Sequence, residues 1–159
     1  MQVFDASSTL FAWDNYPIAQ FPKLWEWIGD LLNRGEIVFS VVAFAEIGHK
    51  SPDCCAWLDQ NGAQKIPITN AIVTAALAIQ AGLGIANGDY GTGVDENDVF
   101  VIATAKVHNC TVISDEAVQA IAPQNLKKSK IPLVCSMPAA GVPCKNFVAF
   151  FKASEAVFG

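Results

Sequence analysis

Short apolar runs alternate along this chain with longer stretches whose apolar residues recur at helical spacing. Met1-Gln2-Val3-Phe4-Asp5, Glu36 to Ser40, Cys110 to Ser114 and Val142 to Lys145 read as strands, and Lys65 to Ile68 as a short extended piece. Between them the period changes. Phe21, Leu24, Trp25, Ile28, Leu31 and Leu32 lie on one helical face, with Pro22 in the first turn and Gly35 at the end. Similar reasoning predicts helices over Val41–Lys50, from Ser51 to Asp59, from Asn70 to about Leu83, over Asp98–Val107 and from Asn146 to Ala156. Shorter helices are expected from a Ser7-Ser8-Thr9 cap to Trp13, over Asp115–Ile121, and as a turn within Ile131–Met137. Gly84 to Asp95, with glycines at 84, 88, 91 and 93, reads as a flexible loop; these glycines follow no strand, so neither phosphate-loop motif is present. Strands alternating with helices predict a single-domain, three-layer α/β/α fold with a mostly parallel central sheet.

Four acidic positions adjoin these runs. Asp5 closes the first strand, Glu46 lies in the helix after the second, Asp98 opens the apolar run Val99–Ala103, and Asp115-Glu116 follows Thr111–Ser114. In open α/β sheets, the carboxyl ends of the strands are where ligands bind. Carboxylates gathered there repel: at about 4 Å a like-charged pair costs roughly 4 kcal/mol at an effective dielectric of 20. A hard divalent cation such as Mg²⁺ or Mn²⁺ removes that penalty and takes oxygen ligands. The candidate metal and catalytic residues are therefore Asp5, Glu46, Asp98 and an acid from Asp115 or Glu116, in a site for metal-dependent phosphoryl transfer. Each has a simpler competing role. Asp5 and Asp98 suit helix caps, and Asp115 and Glu116 suit a helix start. A lone acid among Val41–Ile47 is expensive to bury unless paired or metal-bound, which favours function for Glu46.

Composition constrains the reading further. Only 16% of the residues are charged, and the length of 159 residues suits one domain with a sizeable core. The net charge of −5 looks unfavourable for a nucleic-acid enzyme. Setting aside four site carboxylates leaves 11 acids against 10 bases, so the objection is weak. Lys127, Lys128 and Lys130 form the one basic cluster, read as a solvated loop face. Five cysteines, an odd number, with two histidines, fit buried reduced thiols better than disulfides or zinc. No apolar stretch reaches the roughly 20 residues of a membrane span, and no signal peptide is recognised, so the expected location is cytoplasmic.

The order of these acids, with Ser114-Asp115-Glu116 after the late strand, resembles the PIN domain, a family of metal-dependent ribonucleases that includes VapC-type toxins. Asp5-Ala6-Ser7-Ser8-Thr9-Leu10, Asn15-Tyr16-Pro17, Phe21-Pro22-Lys23-Leu24-Trp25, Asp98 to Lys106 and Lys130 to Cys135 are similar to an uncharacterised PIN-like branch. Two positions depart from the pattern: Ala6 stands where the family usually carries Thr or Ser, and Leu133 where that branch often has an acid. The resemblance implies an endoribonuclease that uses Mg²⁺ or Mn²⁺ held by Asp5, Glu46, Asp98 and a fourth acid. Family spacing selects Glu116 for that role, while Asp115 is nearer the strand end.

The resemblance further implies RNA as substrate, a small antitoxin protein as possible partner, and a possible homodimer. Trp25 and Trp27 fall on different faces of their helix, which motivates an interface there. Two alternatives come from other classes: a catalytically silent PIN-like binding or scaffold module, and a Mg²⁺-binding receiver-like regulatory domain. The receiver reading expects an acidic pair after the first strand, where this chain has only Asp5.

Overall fold

The computed structural model describes residues 1–158. Its elements run β1 (Gln2–Phe4), α1 (Ala6–Asn15), α2 (Pro22–Asn33), β2 (Ile37–Ser40), α3 (Val41–Lys50), α4 (Pro52–Gln60) and β3 (Gln64–Ile66). There follow α5 (Asn70–Gly82), α6 (Glu96–Val107), β4 (Thr111–Ile113), α7 (Ile131–Ser136), β5 (Cys144–Lys145) and α8 (Phe147–Ala153), with a 3₁₀ turn at Leu126–Lys128. All strand pairs are parallel, in the order β3-β2-β1-β4-β5. The three-layer α/β/α expectation holds. The extended piece expected at Lys65–Ile68 is an edge strand paired with β2, which makes the sheet five-stranded. A receiver-type sheet runs 2-1-3-4-5, so this strand order removes the receiver alternative.

Strand alternation sorts the two cores. Val3, Val38 and Val112 face one side, where they pack with Ile72 and Ile79 of α5, Val99 and Ile102 of α6, and Val134 of α7. Phe4, Ile37, Phe39 and Ile113 face the other, against α2, α4 and α8. A side-chain period of two makes this division automatic once the register is set.

Trp25 is buried and its indole N–H donates to the Tyr16 carbonyl at 2.6 Å. Trp27, on the other face of α2, packs on Phe150, Phe151 and Phe158 of the same chain. The two faces are thus covered by two different parts of one molecule, and Trp27 no longer argues for an interface.

Two local expectations change. Residues 115–121 form no helix: Val118 and Ile121 are 81% and 85% exposed, so a helix there would bury no apolar face. Gln119 instead fastens the segment, accepting from Lys130 N and donating to the Lys128 carbonyl. The glycine-rich loop is also fastened. Gly93 N donates to Lys127 O at 3.0 Å and Val94 N to Ser129 O at 2.8 Å. A Cβ on Gly93 would stand 2.3 Å from Ser129 O, so glycine is needed there for close backbone approach. Lys127 pairs with Asp89 at 2.6 Å, which ties the basic cluster to that loop.

Among the described residues, no helix is long and apolar enough to cross a membrane.

Candidate functional site

From β1 the chain moves outward through β2 to β3, then crosses back to place β4 on the other side of β1. The crevice outside the carboxyl ends of β1 and β4 is therefore the topological switch point, where such sheets bind ligands. Asp5 follows β1 and Ser114-Asp115-Glu116 follows β4. The two segments meet there, since Asp5 N donates to Ile113 O at 2.9 Å.

Asp5 is 3% exposed and caps α1, the simpler role weighed for it, in place of the expected Ser7-Ser8-Thr9 cap. Its Oδ2 accepts from Ser7 N at 3.1 Å, from the Ser7 hydroxyl at 2.5 Å and from the Ser114 hydroxyl at 3.2 Å. Ser7 Oγ also accepts from Asp115 N at 3.0 Å and lies 3.1 Å from Ser114 Oγ. Two serines thus clamp one carboxylate oxygen, and among the described residues no donor to Oδ1 is seen. Burial raises the Asp5 carboxyl above its ordinary range against these bonds, and Glu116 pushes it the same way.

Asp98 is the third residue of α6 and not its first. Asp95 caps the helix in a reciprocal box: Asp98 N donates to Asp95 Oδ1 and Asp95 N to Asp98 Oδ2, each at 2.9 Å. The cap role thus goes to Asp95, which frees Asp98 Oδ1. Desolvation pushes the Asp98 carboxyl from 3.8 to about 8, with repulsion from Asp95, Asp5 and Glu116 adding to it. That mutual repulsion places Asp5, Asp98 and Glu116 in one electrostatic cluster.

Glu46 is neither deeply buried nor alone. Its side chain is 24% exposed and Oε1 pairs with Lys50 one turn later. Lys50 also feels the fields of Asp5 and Asp98, so it is a resident cation beside the acids. The Glu46-x-x-x-Lys50 spacing is the sequence signal that would have found it.

Asp115 and Glu116 diverge. Asp115 Oδ2 accepts from Phe147 N at 3.0 Å and serves the start of α8. Glu116 Oε2 accepts from Ile131 N at 2.9 Å at the start of α7, and Glu116, unlike Asp115, acts on both Asp5 and Asp98.

Asp5, Glu46, Asp98 and Glu116 each commit one carboxylate oxygen to a protein donor, and among the described residues no hydrogen bond to the other is seen. This all-oxygen set suits a hard cation such as Mg²⁺ or Mn²⁺. Among the described residues, no three His, Cys, Asp or Glu side chains stand close enough together to grip an ion as they are. The carboxylates would have to close on it.

A chain of the VapBC2 complex from Rickettsia felis, solved bound to a DNA fragment from the complex's promoter, is similar in structure to this protein. Its TM-score is 0.56 at 15% identity, covering 91% of this chain and 97% of that one. The fold is the VapC-like PIN fold. By sequence the protein belongs to the family described as a domain of unknown function (DUF4411), whose model matches residues 2–158. No protein of curated function matches the sequence.

Proposed function

We propose that this protein is a metal-dependent endoribonuclease, the toxin of a two-component toxin–antitoxin module. The observation that carries the reading is the acidic cluster at the switch point. Asp98 has its carboxyl pushed to about 8 by burial and by neighbouring acids including Asp5 and Glu116. Each of these three acids also serves a helix start, but those roles do not need the acids to converge, and a bound cation would relieve the cost of convergence.

Asp5, Glu46 and Asp98 would hold Mg²⁺ or Mn²⁺, with Glu116 as the fourth acid. When bound, a divalent ion neutralises the carboxylates, acidifies water and stabilises a leaving oxygen. The chain's own residues prepare that site. Ser7 and Ser114 orient Asp5, the Asp95 box fixes the Asp98 rotamer, and Ile131 N orients Glu116. Lys50 holds Glu46 and adds positive charge where an RNA phosphate would approach. Asp115 supports the fold by accepting from the first N–H of α8, beside the Asn146 cap. No histidine or serine nucleophile is required for water attack on phosphorus.

RNA is the proposed substrate and a small antitoxin protein the proposed partner, the latter because the structural neighbour is a VapBC2 complex. A homodimer rests on the family resemblance alone now that Trp27 is covered within the chain.

The test is cleavage of single-stranded RNA with Mn²⁺ or Mg²⁺ and with chelator, using wild type and Glu46→Gln. Cleavage that needs metal and falls in the variant supports the reading. Metal that neither binds nor promotes cleavage transfers the protein to the silent binding-module class.

A further inference from the structure

All five cysteines are free, but two of them meet across elements. Cys135 lies in α7, 1% exposed, and its carbonyl accepts from Val142 N at 2.9 Å. Cys144 begins β5 and packs into the same apolar cluster as Cys135 and Val142. α7 packs on β5, and the bond from Val142 N to the Cys135 carbonyl sets the approach to Cys144 alongside Cys135, so the two thiols are neighbours and each perturbs the other. Cys135 is sealed in, while the half-buried Cys144 lines a cleft of about 120 Å³ with Ser114, Asp115 and Glu116. One sulfur is thus open to a small reagent and the other stands behind it.

The elements carrying these thiols also hold the two neighbouring acids. Glu116 Oε2 accepts from Ile131 N, the first residue of α7, and Asp115 Oδ2 from Phe147 N, just past β5. A disulfide needs an S–S distance of about 2.05 Å, well inside the contact distance of two free sulfurs. Forming one would draw α7 toward β5 and shift the N–H that orients Glu116.

We propose that Cys135 and Cys144 are a redox modification site, closing to a reversible disulfide that displaces Glu116 and disables the acidic cluster. The oxidant is a peroxide. Cys144 sulfur attacks the O–O bond, takes one oxygen as sulfenic acid, and water leaves. Cys135 sulfur then attacks Cys144 sulfur; the S–S bond forms, the S–O bond breaks, and the hydroxyl departs as a second water with the Cys135 proton. Two thiols lose two electrons and peroxide gains them. A dithiol reductant reverses the change.

The bond itself is independent of the ribonuclease reading; its inhibitory effect rests on that reading. Both cysteines lie on one tryptic peptide, Ile131–Lys145, so the link reads as the loss of two hydrogens and of both alkylation sites. The whole chain is treated with hydrogen peroxide, mapped, and assayed for Mn²⁺-induced thermal shift and RNA cleavage, before and after dithiothreitol. The expected result is an intrapeptide link, loss of the Mn²⁺ shift and of cleavage, and recovery on reduction. Cys144→Ser and Cys135→Ala should each keep cleavage and escape inhibition, while Cys54→Ser stays sensitive. A link between other cysteines, sulfinic acid at Cys144 in place of a link, or a mapped link that leaves the Mn²⁺ shift intact overturns the proposal. A reduced protein that neither binds Mn²⁺ nor cuts RNA removes the ribonuclease reading and the inhibitory effect together, and the mapped link still decides the dithiol.

Discussion

Replacing Asp98 with Asn removes one charge from the cluster with almost no change in volume. Asn at the third helical position keeps an oxygen to accept from Asp95 N, so the box that starts α6 survives. The wild-type carboxyl moves from 3.8 to about 8 on folding. A folded value above the unfolded one means that the unfolded chain releases this proton first. Stability is then fully present below 3.8 and declines as pH rises toward about 8. Each pH unit in that window is worth up to about 1.4 kcal/mol. Solvent at the partly exposed group screens this, leaving about 1–3 kcal/mol by the top of the window. At about 2–4 °C per kcal/mol for a chain of this size, Asp98→Asn should melt several degrees above wild type in chelator at pH near 8, and close to it in acid. Asp5, also raised by burial, adds a slope of the same sign to both proteins. Mn²⁺ should then raise the melting temperature of wild type and not of the variant, and RNA cleavage should disappear. Equal metal-free stability at high pH would refute the repulsion argument. A variant that cuts RNA with unchanged metal dependence would refute the placement of the site.

Glu116→Gln should weaken Mn²⁺-dependent cleavage more than Asp115→Asn, whose effect should be a loss of about 0.3–1 kcal/mol of stability at the start of α8, read by urea denaturation; the reverse order moves the fourth acid to Asp115. Ser7→Ala removes a hydroxyl shared by Asp5, Ser114 and Asp115 N. It should cost about 1–3 kcal/mol and reduce Mn²⁺ affinity in calorimetry, and an unchanged affinity would mean that Ser7 does not orient Asp5. Gly93→Ala forces a Cβ to 2.3 Å from Ser129 O. Overpacking of this kind costs about 1–3 kcal/mol, and a variant as stable as wild type would show that the loop moves away freely.

The apolar patterning of this sequence by itself determined the strands β1, β2, β4 and β5, their two faces and the main helix layers. Val3 against Phe4, Val38 against Phe39 and Val112 against Ile113 point to opposite sides because a strand alternates at every residue. The same patterning put Asp5 and Ser114-Asp115-Glu116 at strand ends. Only the tertiary structure decided what each acid does there. Asp115 and Glu116 are neighbours with the same charge, and they part because two backbone N–H groups distant in sequence donate to them separately, Phe147 N to Asp115 and Ile131 N to Glu116. The capping of α6 fell to Asp95 over Asp98 through a reciprocal pair of bonds in which each side chain accepts from the other residue's backbone N–H. Residues 115–121 carry a helix-compatible sequence, yet no surface was left to cover Val118 and Ile121, so side-chain bonds to distant backbone prevailed over local propensity. Strand β3 shows the same dependence: Gln64-Lys65-Ile66 has little apolar character of its own and becomes a strand because β2 offers it an open edge. Local sequence fixes which backbone states are cheap; long-range donors, edges and covering faces select among them.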